Sequence, residues 1–220
     1  MTIAAVVTAA GSGTRLGASV PKALVPVQGR PLVAWAVETV SHIADTVIVT
    51  APRTHVEAFR EAVPSALVVV GGGERQESVA AGLAAVPDST EIVLIHDAAR
   101  AFQPAHVMTA AIQAIRDGAD GAVPVVPVVD TLVQASADGT LGATANRDAL
   151  RAVQTPQVFT LAVARAAHAS GITGATDDAQ LARAAGLRVV EVDGDERGFK
   201  VTRPLDLAVA LHIASQMEDR

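Results

Sequence analysis

The stretch from Ile3 to Lys22, IAAVVTAAGSGTRLGASVPK, constrains this chain more than any other. From Ile3 to Thr8 it is apolar and rich in β-branched residues, which reads as a strand buried on both faces. It then breaks into Gly11, Gly13 and Gly17, with Arg15 and Lys22 as the nearby cations. A backbone without Cβ atoms can approach a ligand closely, while its charge comes from two chosen points. That pairing suits a phosphate.

Known glycine-rich cradles narrow the reading. A Walker loop needs Gly, four residues, then Gly-Lys-Ser/Thr, and no such string occurs. A dinucleotide fingerprint needs Gly-x-Gly-x-x-Gly running into a helix. Here the glycines are one residue too widely spaced, and Pro21 and Pro26 oppose a helix. The next expected strand, Thr46 to Thr50, ends in Ala51-Pro52 rather than in an acid that would hold a ribose. Two readings remain: a long loop carrying Arg15 and Lys22 over a nucleoside triphosphate, or a flexible turn whose cations are solvated.

At 220 residues, 50% apolar and free of cysteine, the chain can form one α/β domain spanning 1–220, without disulfides or thiolate metal sites. The N-terminus lacks a secretory pattern and no apolar run approaches a membrane span, so a soluble cytoplasmic protein is expected. A formal net charge of −6 argues against a nucleic-acid surface. Lys22 and Lys200 are the only lysines, against fifteen arginines. A site that must place a compact point charge on a phosphoryl group has reason to keep lysine where arginine is otherwise used.

Along the chain, Gly29-Arg30 reads as a turn and Pro31 as a first helical position, followed by Leu32, Trp35, Ala36, Val40 and Ile43 at helical spacing. Strands are expected at Asp45 to Thr50 and Leu67 to Val70, with a helix at Thr54 to Val63 between them. Strands alternating with helices imply a mostly parallel twisted sheet covered on both faces, a Rossmann-like α/β fold. Gly71 to Leu83, GGGERQESVAAGL, repeats the first loop's logic: glycines end a strand, a helix starts near Arg75 to Ser78, and free backbone donors should lie at the carboxyl edge. An ordinary flexible connection is the alternative. Glu91 to Ile95 is a strand running into His96-Asp97-Ala98-Ala99-Arg100. Asp97 suits Mg²⁺, which takes one or two carboxylates and otherwise phosphate and water. His96 reads as hydrogen-bonded scaffolding, and Arg100 as a phosphate contact or a partner that orients Asp97.

Pro104 to Arg116 is an expected helix and Asp120 to Val129 a strand that bends or leaves the sheet at Pro124 and Pro127. Asp130 to Arg147 reads as a hairpin about Ala137-Asp138-Gly139, an arm at about 130–147. Alone it would be marginal, so it should pack on something, most economically on its copy in a homodimer. Thr155-Pro156-Gln157 is expected to open a helical stretch over about Leu161 to Ala169, and Thr176 or Asp177 another to about Ala185. Strands follow at Leu187 to Val192 and Phe199 to Thr202, then a helix from Pro204 to about Gln216. Such parts suit phosphoryl or nucleotidyl transfer, where charge on phosphorus oxygens is neutralised; motifs for a serine elbow or a metalloprotease do not occur.

The motifs AAGSGTRLG with Pro21-Lys22, GGGERQESVAAGL, IHDAAR, NRDALRAVQTPQ, TDD and FKVTRPLDL, in this order across essentially the whole chain, resemble the 2-C-methyl-D-erythritol 4-phosphate cytidylyltransferases of the non-mevalonate isoprenoid pathway. The first motif is shared by many nucleotidyltransferases; IHDAAR, TPQ and KVTRP together are more selective. The resemblance implies a Mg²⁺-dependent transfer of CMP from CTP to the acceptor's 4-phosphate. It implies that Arg15 and Lys22 stabilise the five-coordinate phosphorus, with Gly11 and Gly13 in the same loop. Ala9, Ala10, Gly72, Gly73 and Ser78 would hold the cytosine, Arg75 would shape its pocket, Asp97 would bind the metal and Ala98 would lie near the ribose. Arg147, on the partner subunit's arm, and Lys200 would position the attacking phosphate, with Thr131 a further arm contact. Ala23-Leu24 replaces the family's more usual Gln and aromatic residue, and the turn Asp193 to Gly198 differs from the commoner version, leaving Asp195 and Glu196 as candidates for the substrate diol. Rival readings are a nucleotidyltransferase for ribitol 5-phosphate or a sugar phosphate, and a non-catalytic nucleotide-binding regulator.

Overall fold

A computed structural model describes residues 1–11 and 20–218. The strands are β1 (Ile3–Thr8), β2 (Pro26–Val27), β3 (Arg30–Pro31), β4 (Thr46–Ala51), β5 (Leu67–Val70), β6 (Ile92–Asp97), β7 (Gly121–Pro127), β8 (Val133–Ala135), β9 (Leu141–Thr144), β10 (Arg151–Val153), β11 (Gln157–Thr160) and β12 (Val189–Asp193). The helices are α1 (Leu32–Ser41), α2 (Val56–Ala62), α3 (Arg75–Ala84), α4 (Ala105–Arg116), α5 (Leu161–Ala169), α6 (Asp178–Ala184) and α7 (Pro204–Glu218).

The main sheet runs β10-β7-β11-β6-β1-β4-β5, with β12 also paired to β7. β1 lies between β4 and β6, parallel to both, so successive crossovers leave it in opposite directions. Ligands of open α/β sheets bind at such a switch point, beyond the carboxyl ends of the strands. Here the register sets Thr8 of β1 directly beside Asp97 of β6.

Alternation along these strands feeds two cores. Ala5 and Val7 of β1, with Ile92 and Leu94 of β6, pack against Val33, Val40, Met108 and Ile112 on one face. Ala4 and Val6, with Val93 and Ile95, pack against Val79, Leu83, Leu161 and Leu181 on the other. A strand covered on both sides explains the unbroken apolar run of β1. Helix α4 is held by its spacing: Val107, Met108, Ala111, Ile112 and Ile115 form one buried stripe. A third cluster of Leu32, Trp35, Phe102, Val201 and Ala210 sits under α7, where Trp35 Nε1 donates to the Val27 carbonyl at 3.0 Å.

Several elements differ from the sequence expectation. Pro31 ends β3, and α1 starts one residue later; the turn before it is centred on Gln28-Gly29, both with positive φ. A short 3₁₀ turn, Arg53–His55, precedes α2. No strand forms over 199–202; that segment is tied down by Val201 N donating to the Ala99 carbonyl at 2.8 Å.

The larger correction concerns residues 151–160. Rather than leading only into a helix, they form β10 and β11, both antiparallel to β7, and β11 fills the gap between β6 and β7. Strand β7 does not leave the sheet at its prolines. It stays paired through Pro127, while the antiparallel register shifts from Ala122–Val158 to Val125–Val153. The intervening residues Gln154 to Pro156 absorb the shift, so Pro124 needs to donate nothing there and instead accepts from Gln154 N at 2.8 Å. The hairpin expected at 130–147 is present as β8–β9, turning at Gly139, and both strands are exposed along their length.

Helix α3 carries the second glycine loop, and its seating depends on Gly82, where a Cβ would collide with Val6 on β1. Gly82→Val should therefore cost about 1–3 kcal/mol of stability through overpacking. The check is a lower urea midpoint at unchanged slope.

Candidate active site

The site is assembled at the carboxyl edge around Asp97. Asp97 is 7% exposed as a residue, and its Oδ1 accepts from Arg75 Nε at 3.1 Å and from Thr8 Oγ1 at 3.2 Å. Its Oδ2 accepts from Lys200 Nζ at 2.6 Å. Burial alone would raise the carboxyl's pKa, but Arg75 and Lys200, with a smaller contribution from Arg100, hold it well below the usual range. Asp97 is thus ionised at any physiological pH.

Its backbone is fixed as firmly. Thr155 Oγ1 accepts from Asp97 N at 3.0 Å and lies 3.0 Å from His96 Nδ1. His96 Nε2 faces the Arg100 carbonyl at 3.1 Å, so this nitrogen carries the proton and Nδ1 accepts from the threonine hydroxyl. The ring is fully buried, and burial is the main reason its pKa falls to about 4. His96 is scaffolding, as expected. Arg100 does not line the cleft described below and forms no hydrogen bond with Asp97: its guanidinium donates to the carbonyls of Gly198 at 2.7 Å and Val153 at 2.8 Å. It clamps the segment that delivers Lys200 to the end of β10.

The second glycine loop is more occupied than expected. Gly73 N and Glu74 N both donate to Glu77 Oε2, at 2.7 and 3.2 Å, and Gly72 N donates to Ser78 Oγ at 3.1 Å. These donors, rather than lying free, are tied to the first turn of α3. Gly72 has no room for a side chain, because a Cβ would run into that of Glu77.

These groups surround a cleft of about 280 Å³. Of the residues expected to act, Ala9, Ala10, Gly11, Lys22, Gly72, Gly73, Arg75, Ser78, Asp97, Ala98 and Lys200 all line it. Lys22 enters from a short 3₁₀ turn, Lys22–Leu24, following Pro21. Gly13 and Arg15 lie outside the described residues. Thr131 and Arg147 sit exposed on the arm, where Arg147 Nη1 donates to the Val129 carbonyl at 2.9 Å, and they do not line this cleft within one chain. Asp195 is also outside it, paired with Arg197 at 3.0 Å, and Glu196 is exposed. Thr8, Glu74, Ala99 and Thr202 line the cleft without having been anticipated. The most consequential omission is Asp178, which holds the far side of Arg75; its signal was the TDD string, legible as a motif but without a role.

Among the described residues no group of three or more His, Cys, Asp or Glu side chains surrounds a metal position. One ionised carboxylate on the cleft wall does fit Mg²⁺, which completes its shell with phosphate oxygens and water. No helix among the described residues is long and apolar enough to cross a membrane.

A wound sheet with a glycine-lined, cation-bearing cleft at its switch point belongs to the class of α/β proteins that hold phosphorylated ligands. Residues 3–216 match the family described as "IspD: 2-C-methyl-D-erythritol 4-phosphate cytidylyltransferase", and the chain belongs to that family. It is 46% identical to the 2-C-methyl-D-erythritol 4-phosphate cytidylyltransferase of Nocardia farcinica, covering 94% of this chain and 92% of the relative. It is 44% identical to the protein of the same name from Frankia casuarinae, covering 94% and 79%. The crystal structure of 2-C-methyl-D-erythritol 4-phosphate cytidylyltransferase from Thermus thermophilus superposes with a TM-score of 0.82 at 37% identity, covering 98% of this chain and 100% of that one.

The neutral, buried His96 has a consequence for stability. An unfolded chain takes up this proton near pH 6.5, whereas the folded one does so only near 4. Stability should therefore fall as pH drops from 6.5 toward 4, and His96→Asn should remove one proton's worth of that slope. Urea midpoints measured across this window test it; equal slopes in both proteins would refute the assignment.

Proposed function

We infer that this chain transfers the cytidylyl group of CTP to 2-C-methyl-D-erythritol 4-phosphate, forming 4-diphosphocytidyl-2-C-methyl-D-erythritol and diphosphate. One observation carries the reading: in a member of this family, Lys22, Asp97 and Lys200, from distant parts of the sequence, line a single cleft with Gly11 of the first glycine loop and Gly72 and Gly73 of the second. An oxygen of the acceptor's phosphate attacks the α-phosphorus of CTP, and the bond from that phosphorus to the bridging oxygen of the leaving diphosphate breaks. The acceptor is already anionic at neutral pH, so no side chain need remove a proton first. That agrees with a site rich in cations.

The roles follow from charge and position. Lys22 places a point charge where negative charge grows on the α-phosphoryl oxygens, a task the motif resemblance gives to Arg15 as well. Ala9, Ala10, Gly72 and Gly73 present backbone rather than side chains to the base, and the Glu77 and Ser78 side chains keep that loop in shape. Asp97 would hold Mg²⁺ together with the nucleotide's phosphates, where the ion neutralises their charge. Lys200, 2.6 Å from Asp97, stands where an incoming phosphate monoester needs a counter-charge.

Arg147 and Thr131 reach a cleft in a homodimer whose exposed arms each cross to the neighbouring subunit. Support for this comes from the arm's exposed apolar residues Val129, Leu132, Val133 and Leu141, which lack cover within one chain.

Diphosphate release on mixing CTP, Mg²⁺ and 2-C-methyl-D-erythritol 4-phosphate tests the activity, with ribitol 5-phosphate as the competing acceptor; preference for ribitol would overturn the substrate. Lys22→Ala should lower kcat by about 10²–10³-fold while changing CTP affinity less, and unchanged turnover would remove Lys22 from the mechanism. Lys200→Ala should act mainly on the KM of the acceptor.

The crossed arm has its own test. Co-expressed Lys22→Ala and Arg147→Ala chains should regain about a quarter of the wild-type sites, because half of the dimers are mixed and each mixed dimer rebuilds one intact site. No recovery above the two single variants would place Arg147 in its own subunit's site.

A further inference from the structure

Asp178, the first residue of α6, is a buried carboxylate, 3% exposed, that no step above uses. Its Oδ2 forms an ion pair with Arg75 Nη2 at 2.8 Å, and its Oδ1 lies 3.0 Å from His168 Nε2 on α5. The same guanidinium reaches Asp97 Oδ1 through Nε at 3.1 Å. Arg75 therefore spans two carboxylates carried by different elements, one on the cleft wall and one behind it. A lysine's single ammonium has no such fork.

The position of Asp178 is itself built. Gln157 Oε1, from the TPQ motif, accepts from Ala179 N at 2.7 Å, and the Asp177 side chain accepts from Gln180 N at 2.6 Å, so the first turn of α6 is pinned at two points. His168, whose side chain is 5% exposed, must carry its proton on the nitrogen that faces Asp178. A carboxylate this deeply placed is costly unless paired, and both of its partners are supplied.

The arrangement divides the charge of Arg75. With Asp178 in place, the guanidinium is held from behind and gives Asp97 only one contact. Without it, a side chain that is 25% exposed on the cleft would be free to close on Asp97 or swing onto the triphosphate. We propose that Asp178 is a positioning residue for the nucleotide, holding Arg75 so that the cleft wall keeps its shape and Asp97 stays available to the phosphates. The proposal rests on the CTP-dependent reading above.

The test compares wild type, Asp178→Asn, Arg75→Lys and the double variant by kcat, by KM for each substrate and by thermal midpoint. Asp178→Asn should raise the KM for CTP about tenfold, with kcat and the acceptor's KM changed less. The double variant should be no worse than Arg75→Lys alone, since the two residues act as one device. Additive losses would overturn the proposal, as would an Asp178→Asn protein that merely folds in lower yield with an unaltered KM. Should the asparagine variant fail to fold, Asp178→Glu keeps the charge but displaces it by one methylene, and an unaltered KM for CTP in that protein would equally overturn it. A wild-type protein without CTP-dependent diphosphate release overturns this proposal and the functional reading together; an active wild type with an indifferent Asp178→Asn overturns this proposal alone.

Discussion

The structure turns on one buried anion. Asp97 ends the strand beside β1 and gathers Arg75 from α3, Lys200 from the last loop, Thr8 from β1 and, through its backbone, Thr155 from the link between β10 and β11. An isolated carboxylate at this depth would cost far more than a fold of this size could bear, so its partners are part of the architecture rather than an addition to it. The same charges that make burial tolerable make the cleft suitable for phosphates. Stability and chemistry here draw on one set of contacts.

Around this anion the sheet supplies rigidity and the loops supply reach. The two cores on either face of β1 and β6 fix the edge from which the loops depart. Loop backbone is then tightened by side-chain hydrogen bonds. Glu77 and Ser78 hold the glycines, Arg100 ties Gly198 to Val153, and Gln157 secures the start of α6. Preorganisation of this kind places donors before the ligand arrives, which is where electrostatic catalysis gains most.

Much of this was legible in the sequence. The unbroken apolar strand, the glycine clusters after strands and the acid at the end of a strand located the cleft, because each states a local physical need. Relations between distant segments leave no such local mark. Strands β10 and β11 are short, flanked by Gln154 to Pro156, and owe their pairing to β7 rather than to any periodicity of their own. The prolines of β7 misled for the same reason: whether a missing N–H matters depends on the partner opposite, which sequence spacing does not reveal. Arg100 and Asp178 were visible as residues, but their roles exist only through Gly198, Val153 and Arg75.

The scarcity of lysine has a practical side. Lys22 and Lys200 are the only side-chain amines in the chain, and both open onto the same cleft. Apart from the α-amino group of Met1, a reagent that couples to primary amines has nowhere else to react, so this protein offers that cleft as its one internal address for acylation or Schiff-base labelling.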